Sequence, residues 1–95
     1  MARYELTLVL TPTLMEEEVP GALERVRHLI SDRGGTLESE DVQGRRRLEY
    51  PVRKQRMGTF VLSRLDLPTA AVREIEAGLR LDERVLRHLL IRVQP

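Results

Sequence analysis

Ninety-five residues with a formal net charge of +1 predict one domain with a single core, and the average charge selects no partner. No cysteine is present, which excludes disulfides and thiolate metal sites and fits a reducing cytosol. There is no run of about eighteen apolar residues to form a transmembrane helix, and the strand-like pattern that begins at Met1-Ala2-Arg3-Tyr4 leaves no room for a signal peptide.

Arg3 to Leu10 alternates, with Tyr4, Leu6, Leu8 and Leu10 on one parity and Arg3, Glu5 and Thr7 on the other. That is a half-buried strand. Val9 breaks the polar side and predicts a central strand covered in part on both faces. A helix over about Glu16 to Arg33 follows, its inward face drawn by Val19, Ala22, Leu23, Val26, Leu29 and Ile30. Its start has two readings: Thr13 as cap with Glu16 completing a capping box, or a later start near Pro20. Gly34-Gly35 ends it in a left-handed cap.

Thr36 to Val52 reads as extended but is too long for one clean strand. The inward positions are odd at Leu37 and even at Leu48, Tyr50 and Val52. That change of parity requires an extra residue, placed as a bulge near Gly44. Pro51 cannot donate to a ladder and marks an edge strand. Arg53 to Gly58 reads as a basic hairpin loop.

Thr59 to Leu67 is the next strand. Val61, Ser63, Leu65 and Leu67 face the core, while Phe60 and Leu62 stand on the opposite face. Thr69 caps a second helix over about Ala70 to Arg80, with Ala71, Val72, Ile75 and Leu79 inward. Val85 to Val93 is the last strand. The order strand, helix, strand, strand, helix, strand is the split β-α-β pattern. It predicts an α+β, ferredoxin-like fold: a four-stranded antiparallel sheet with both helices on one face and the other face open.

Catalysis finds little support. His28 and His88 lie on different elements, with no Ser or Asp placed to complete a triad; the first reads as a surface or boundary residue and the second as a satisfied, partly buried one. The run Glu16-Glu17-Glu18 reads as a solvated helical turn rather than a cation site, and Glu38, Glu40 and Asp41 lack calcium-loop spacing. Small acyl-phosphate phosphatases of the same fold need an arginine-bearing loop after the first strand and an asparagine. Here that loop is Thr11-Pro12-Thr13-Leu14, and the chain has no asparagine. An RNA-recognition motif stacks bases on open-face aromatics. Tyr4 has core parity, which leaves Phe60.

The arginines remain. The sixteen basic residues are fifteen arginines and Lys54. Arginine's planar fork matches phosphate oxygens and stacks on bases, although arginine-rich codon usage yields the same bias. The bases gather at 45–47, 53–56 and 84–92, giving a dipolar surface able to hold an anion on one side. Arg45, Arg46, Arg47, Arg53, Lys54, Arg56, Arg87 and Arg92 all offer phosphate contacts. The plainer reading is a set of solvated charges that protects a sheet edge.

The chain also resembles a known family across nearly its whole length. Arg3-Tyr4-Glu5 opens the first strand and Leu10-Thr11-Pro12 closes it. Gly34, Arg46-Arg47-Leu48, Tyr50-Pro51-Val52, Gly58-Thr59-Phe60 and Leu67-Pro68 follow at matching spacing. These points are similar to bacterial small-subunit ribosomal protein six. The resemblance implies a structural protein of the small ribosomal subunit, cytoplasmic and without catalysis or cofactor. It implies binding to the central domain of small-subunit ribosomal RNA as a heterodimer with ribosomal protein eighteen, after ribosomal protein fifteen has bound. On this chain, Arg3, Arg87 and Arg92 would form one basic patch against the RNA, joined by Arg46, Arg47, Arg53 and Lys54. Phe60, Leu62 and the edge at Arg45 would hold the protein partner. Pro20 departs from the family pattern, and contacts made by the acidic tail of some relatives are not carried past Gln94-Pro95. A stand-alone interaction or ligand-binding module of the same fold is the competing expectation.

Overall fold

Tyr4, Leu6, Leu8 and Leu10 all turn from β1 (Ala2–Leu10) into the core, none more than 6% exposed. The computed structural model describes residues 1–93, so Gln94-Pro95, where the tail comparison falls, lies outside the described residues. In it, β1 is one of two central strands in a four-stranded antiparallel sheet ordered β2-β3-β1-β4. The other strands are β2 (Thr36–Val52), β3 (Gln55–Leu67) and β4 (Val85–Arg92). Two helices, α1 (Val19–Asp32) and α2 (Val72–Leu81), cover one face. Between them and the sheet, Leu6, Leu8, Ile30, Val61, Leu65 and Ile75 are at most 1% exposed. The element order and the single helical face are as the alternation predicted.

The helix starts differ from expectation in detail. A 3-10 turn, Glu16–Glu18, precedes α1, and the Met15 N–H donates to Glu18 Oε1 at 2.8 Å. Thr13 instead bonds Thr11, hydroxyl to hydroxyl at 3.0 Å. Pro20 falls in the first turn of α1, where a missing N–H leaves no carbonyl unpaired. That is the later of the two starts. Gly34 takes the left-handed conformation at φ 81°, and the Gly35 N–H closes the helix on the Ile30 carbonyl. At the second helix Thr69 is not the cap: it opens a 3-10 turn, Thr69–Ala71, and no side chain caps α2.

The edge strand β2 runs unbroken for 17 residues because its ladder with β3 absorbs irregularities. One extra β2 residue enters between Leu37 and Ser39, another between Val42 and Gly44. Gly44 sits at φ 99°, a conformation costly for any residue with a Cβ, so the bulge predicted near it is present. Between Arg47 and Val52 the ladder takes five steps in β2 against two in β3. The last β1–β3 pair is Leu10 with Thr59, so the hairpin beyond it is an arm that outruns the sheet. Its turn is two residues, Arg53 (φ 49°) and Lys54 (φ 67°), shorter than the predicted loop. Positive φ at both central residues matches the right-handed twist of the two strands.

Candidate nucleic-acid interface

Gly58 decides where the arm lies. A Cβ there would stand 2.4 Å from Val9 Cγ1, so only glycine allows the arm to settle against the open face of β1. Val9 is consequently 4% exposed, although it faces away from the helices. Leu48 packs above the same spot, 3.6 Å from that Cβ position. Tyr50 continues across the sheet. Its hydroxyl accepts a hydrogen bond from Arg87 Nη1 at 3.0 Å, and the Arg87 guanidinium carbon is 5.5 Å from its ring centroid. The parity argument that turned Leu48, Tyr50 and Val52 into the core therefore fails. The three surplus residues bend the arm, and Tyr50 is 55% exposed on the open face.

The bend creates a cleft of about 570 Å³ between arm and sheet. Its floor is Val9, Thr7 and Phe60, its arm wall is Leu48 and Tyr50, and Leu89 closes the β4 side. Arg46, Arg47 and Arg87 line it as well. Arg46 places its guanidinium carbon 5.3 Å from the Phe60 ring centroid and donates to Gln43 Oε1 at 2.7 Å. An arginine over an aromatic face is attracted by the ring quadrupole.

Ion pairing separates the arginines into two populations. Arg3 contacts Glu38 at 3.2 Å and Asp66 at 3.6 Å, and Arg64 contacts Glu5 at 3.3 Å. Arg27, Arg33, Arg80 and Arg84 are likewise bridged to carboxylates. Among the described residues, no carboxylate lies within 4 Å of the basic groups of Arg46, Arg47, Arg53, Lys54, Arg56 or Arg87. All six residues are exposed. Arg25 on α1, Arg73 on α2, and Arg45 and Arg92 on the helix side of the sheet are unbridged too among the described residues, but they are scattered. The contiguous group of unpaired basic residues is the one on the arm and the start of β4 beside it.

The other predicted residues are dispersed. Arg3 and Arg87 share the open face, but Arg87 pairs with Val9, six residues along β1 from Arg3. At about 3.3 Å per residue the two are about 20 Å apart. Arg92 pairs with Tyr4, whose side chain enters the core, so Arg92 lies on the helix side. The single patch expected of Arg3, Arg87 and Arg92 does not form. Arg45 also turns to the helix side, where Nη2 donates to the Pro12 carbonyl at 3.0 Å, fixing the loop before α1. Phe60 and Leu62 do stand on the open face, with the exposed Leu89 and Ile91 on the far side of β1 from them. Sequence reading missed Tyr50 as a site residue because strand alternation cannot register an irregular arm. The cue was Gly58, a small residue beside an aromatic arm.

His88 shares the parity of Leu8 and lies 3.9 Å from Glu76 on α2, partly buried as expected. Among the described residues no group of three or more His, Asp or Glu side chains is placed to hold a metal. No helix among them is long and apolar enough to cross a membrane.

The architecture is an open-faced, ferredoxin-like α+β domain carrying an arginine-bearing arm. The family model described as "Ribosomal protein S6" matches residues 3–92, and the chain belongs to that family. It is 41% identical over 92 residues to small ribosomal subunit protein bS6 of Caldanaerobacter subterraneus subsp. tengcongensis, covering 97% of each chain. It is also 41% identical to the bS6 of Saccharopolyspora erythraea, covering 97% of this chain and 78% of that one. In three dimensions it matches 30S ribosomal protein S6 of Thermotoga maritima with a TM-score of 0.90, at 24% identity, over 97% of this chain and 87% of that one. Membership makes it a structural protein of the small ribosomal subunit, not an enzyme, and sets aside the stand-alone module.

Proposed function

We propose that the protein binds the central domain of small-subunit ribosomal RNA, in the bacterial cytoplasm, as a heterodimer with ribosomal protein eighteen. The observation that supports the RNA reading is the gathering of carboxylate-free basic groups at the arm, against the ion-paired Arg3 and Arg64 at the opposite end of the open face. A free guanidinium binds phosphate without first breaking an ion pair. Arg46, Arg47, Arg53, Lys54 and Arg87 are the principal contacts, with Arg92 reached from the helix side and Arg3 contributing less. The protein partner covers the open-face apolar residues Leu62 and Ile91 and meets Phe60 at the margin of the cleft, with the β2 edge at Arg45 beside it. Exposed apolar strips on a small domain mark such interfaces.

The test is the salt dependence of RNA affinity. Each phosphate contact removed lowers the slope of log K against log salt by about one. Arg46→Ala and Arg47→Ala are expected to do so singly, while Arg3→Ala leaves the slope nearly unchanged. The opposite pattern would move the RNA to the far end of the sheet. Leu62→Ala is expected to weaken the heterodimer without touching the slope.

A further inference from the structure

Phosphate contacts do not need aromatic rings, yet the arm cleft presents two. Beside each ring lies the guanidinium of an arginine that has no carboxylate partner among the described residues: Arg46 at Phe60 and Arg87 at Tyr50, with guanidinium carbons 5.3 and 5.5 Å from the ring centroids. Planar guanidinium and aromatic faces are the surfaces on which unpaired nucleobases stack. The floor at Val9 is apolar, and the volume of about 570 Å³ is in the range of small-ligand sites. Arg46, Arg47 and Arg87 supply charge opposite to the phosphates on either side of such a base, outnumbering Glu49, the one carboxylate among the lining residues.

We infer that the cleft between the arm and the open face receives one unpaired nucleobase, stacked on the Tyr50 ring beside the Arg46 and Arg87 guanidiniums. The class of RNA recognised at this site is then a bulge, loop or junction strand rather than continuous duplex. A base held in an A-form stack offers no free face to an arginine or tyrosine. The inference rests on the RNA reading above and adds the base to it.

The probe is a short single-stranded RNA carrying one 2-aminopurine, titrated with the intact protein at several salt concentrations. A second oligonucleotide replaces that base by an abasic site. Stacking predicts quenched fluorescence on binding and about tenfold weaker binding of the abasic oligonucleotide, with the salt slope the same for both. Tyr50→Phe keeps the ring and is expected to keep the quench. Tyr50→Leu is expected to lose the quench and the preference for the intact strand, and because Tyr50 is 55% exposed, the fold tolerates the change. Equal binding of both oligonucleotides with a normal salt slope would overturn the base site and leave the phosphate contacts standing. Absence of any salt-dependent binding would overturn both. If Tyr50→Leu weakened heterodimer formation while leaving both oligonucleotides alike, the cleft would belong to the protein partner and the inference would fail.

Discussion

Arg87 on β4 and Tyr50 on the β2–β3 arm meet across the open face, joined by a 3.0 Å hydrogen bond and a guanidinium 5.5 Å from the ring. The two residues belong to opposite edge strands of the sheet. Their contact ties the tip region of the arm to the far edge and shapes the cleft between. Both partners are exposed, so the bond restrains the arm more than it stabilises the domain. Tyr50→Phe is expected to change unfolding free energy by less than about 1 kcal/mol. Arg87→Ala removes both the bond and the stack. Amide hydrogen exchange at residues 48–54 is expected to accelerate in both variants, more in Arg87→Ala, while exchange in β1 stays unchanged. Uniform acceleration across the sheet would mean that the contact supports the whole fold.

Gly58 is the point where the arm meets the body. Gly58→Ala forces a Cβ to within 2.4 Å of Val9 Cγ1 and 3.3 Å of the Leu10 carbonyl oxygen. The Val9 side chain can rotate, but the backbone oxygen is fixed by the sheet. Overpacking of this kind costs about 1–3 kcal/mol. Denaturant unfolding is expected to show that loss with an unchanged m-value. Solvent accessibility at Val9 should rise as the arm lifts, measurable as faster exchange at the Val9 and Phe60 amides.

The core was legible because it follows simple periods. Tyr4, Leu6, Leu8 and Leu10 obey alternation in a strand paired on both sides, and Val61, Leu65 and Leu67 obey it opposite them. Where the ladder slips, the rule loses its reference. Gly44 announced one slip through its composition, but nothing local announced the three residues between Arg47 and Val52. Tyr50 therefore read as core. The basic patch misled for a related reason: Arg87 and Arg92 are five residues apart, an odd interval that places them on opposite faces. Which arginines are free was beyond sequence altogether. The pairing of Arg3 with Glu38 joins residues on strands that are not neighbours, with β3 between them.

Acid should weaken one tie at the α1 surface. Arg27 donates to Glu24 at 2.9 Å and to Glu40 at 2.6 Å, linking α1 to β2. The hydrogen bond from Arg27, then its charge, then that of His28 hold the Glu24 carboxyl below its ordinary range. A carboxyl lowered in the folded state stabilises the fold above its unfolded pKa, and that stability is lost as pH falls through the folded value. The loss begins near the ordinary carboxylate pKa of about 4.3 and is completed lower. Glu24→Gln is expected to remove this contribution at neutral pH and to flatten the acid limb of a stability–pH curve. The effect is small because the pair is exposed and screened. An unchanged acid limb would show that the pair adds nothing in solution.

The arm tip sets stability against binding. Arg53 and Lys54 both hold positive φ, at 49° and 67°. Side chains with a Cβ adopt that region at a cost of about 1–2 kcal/mol each, whereas Asn-Gly suits a two-residue turn of this kind. Replacing the pair by Arg53→Asn and Lys54→Gly is expected to raise stability by about 1 kcal/mol, read from the denaturation midpoint. The same variant removes two exposed positive charges that no carboxylate among the described residues neutralises. RNA affinity should fall, with a salt slope lower by up to two, one for each phosphate that the tip no longer neutralises. A more stable protein with weaker, less salt-dependent binding would show that the strained turn is retained for its charge. A variant with unchanged RNA affinity and slope would confine the RNA to Arg46, Arg47 and Arg87 at the cleft, leaving the tip to solvent.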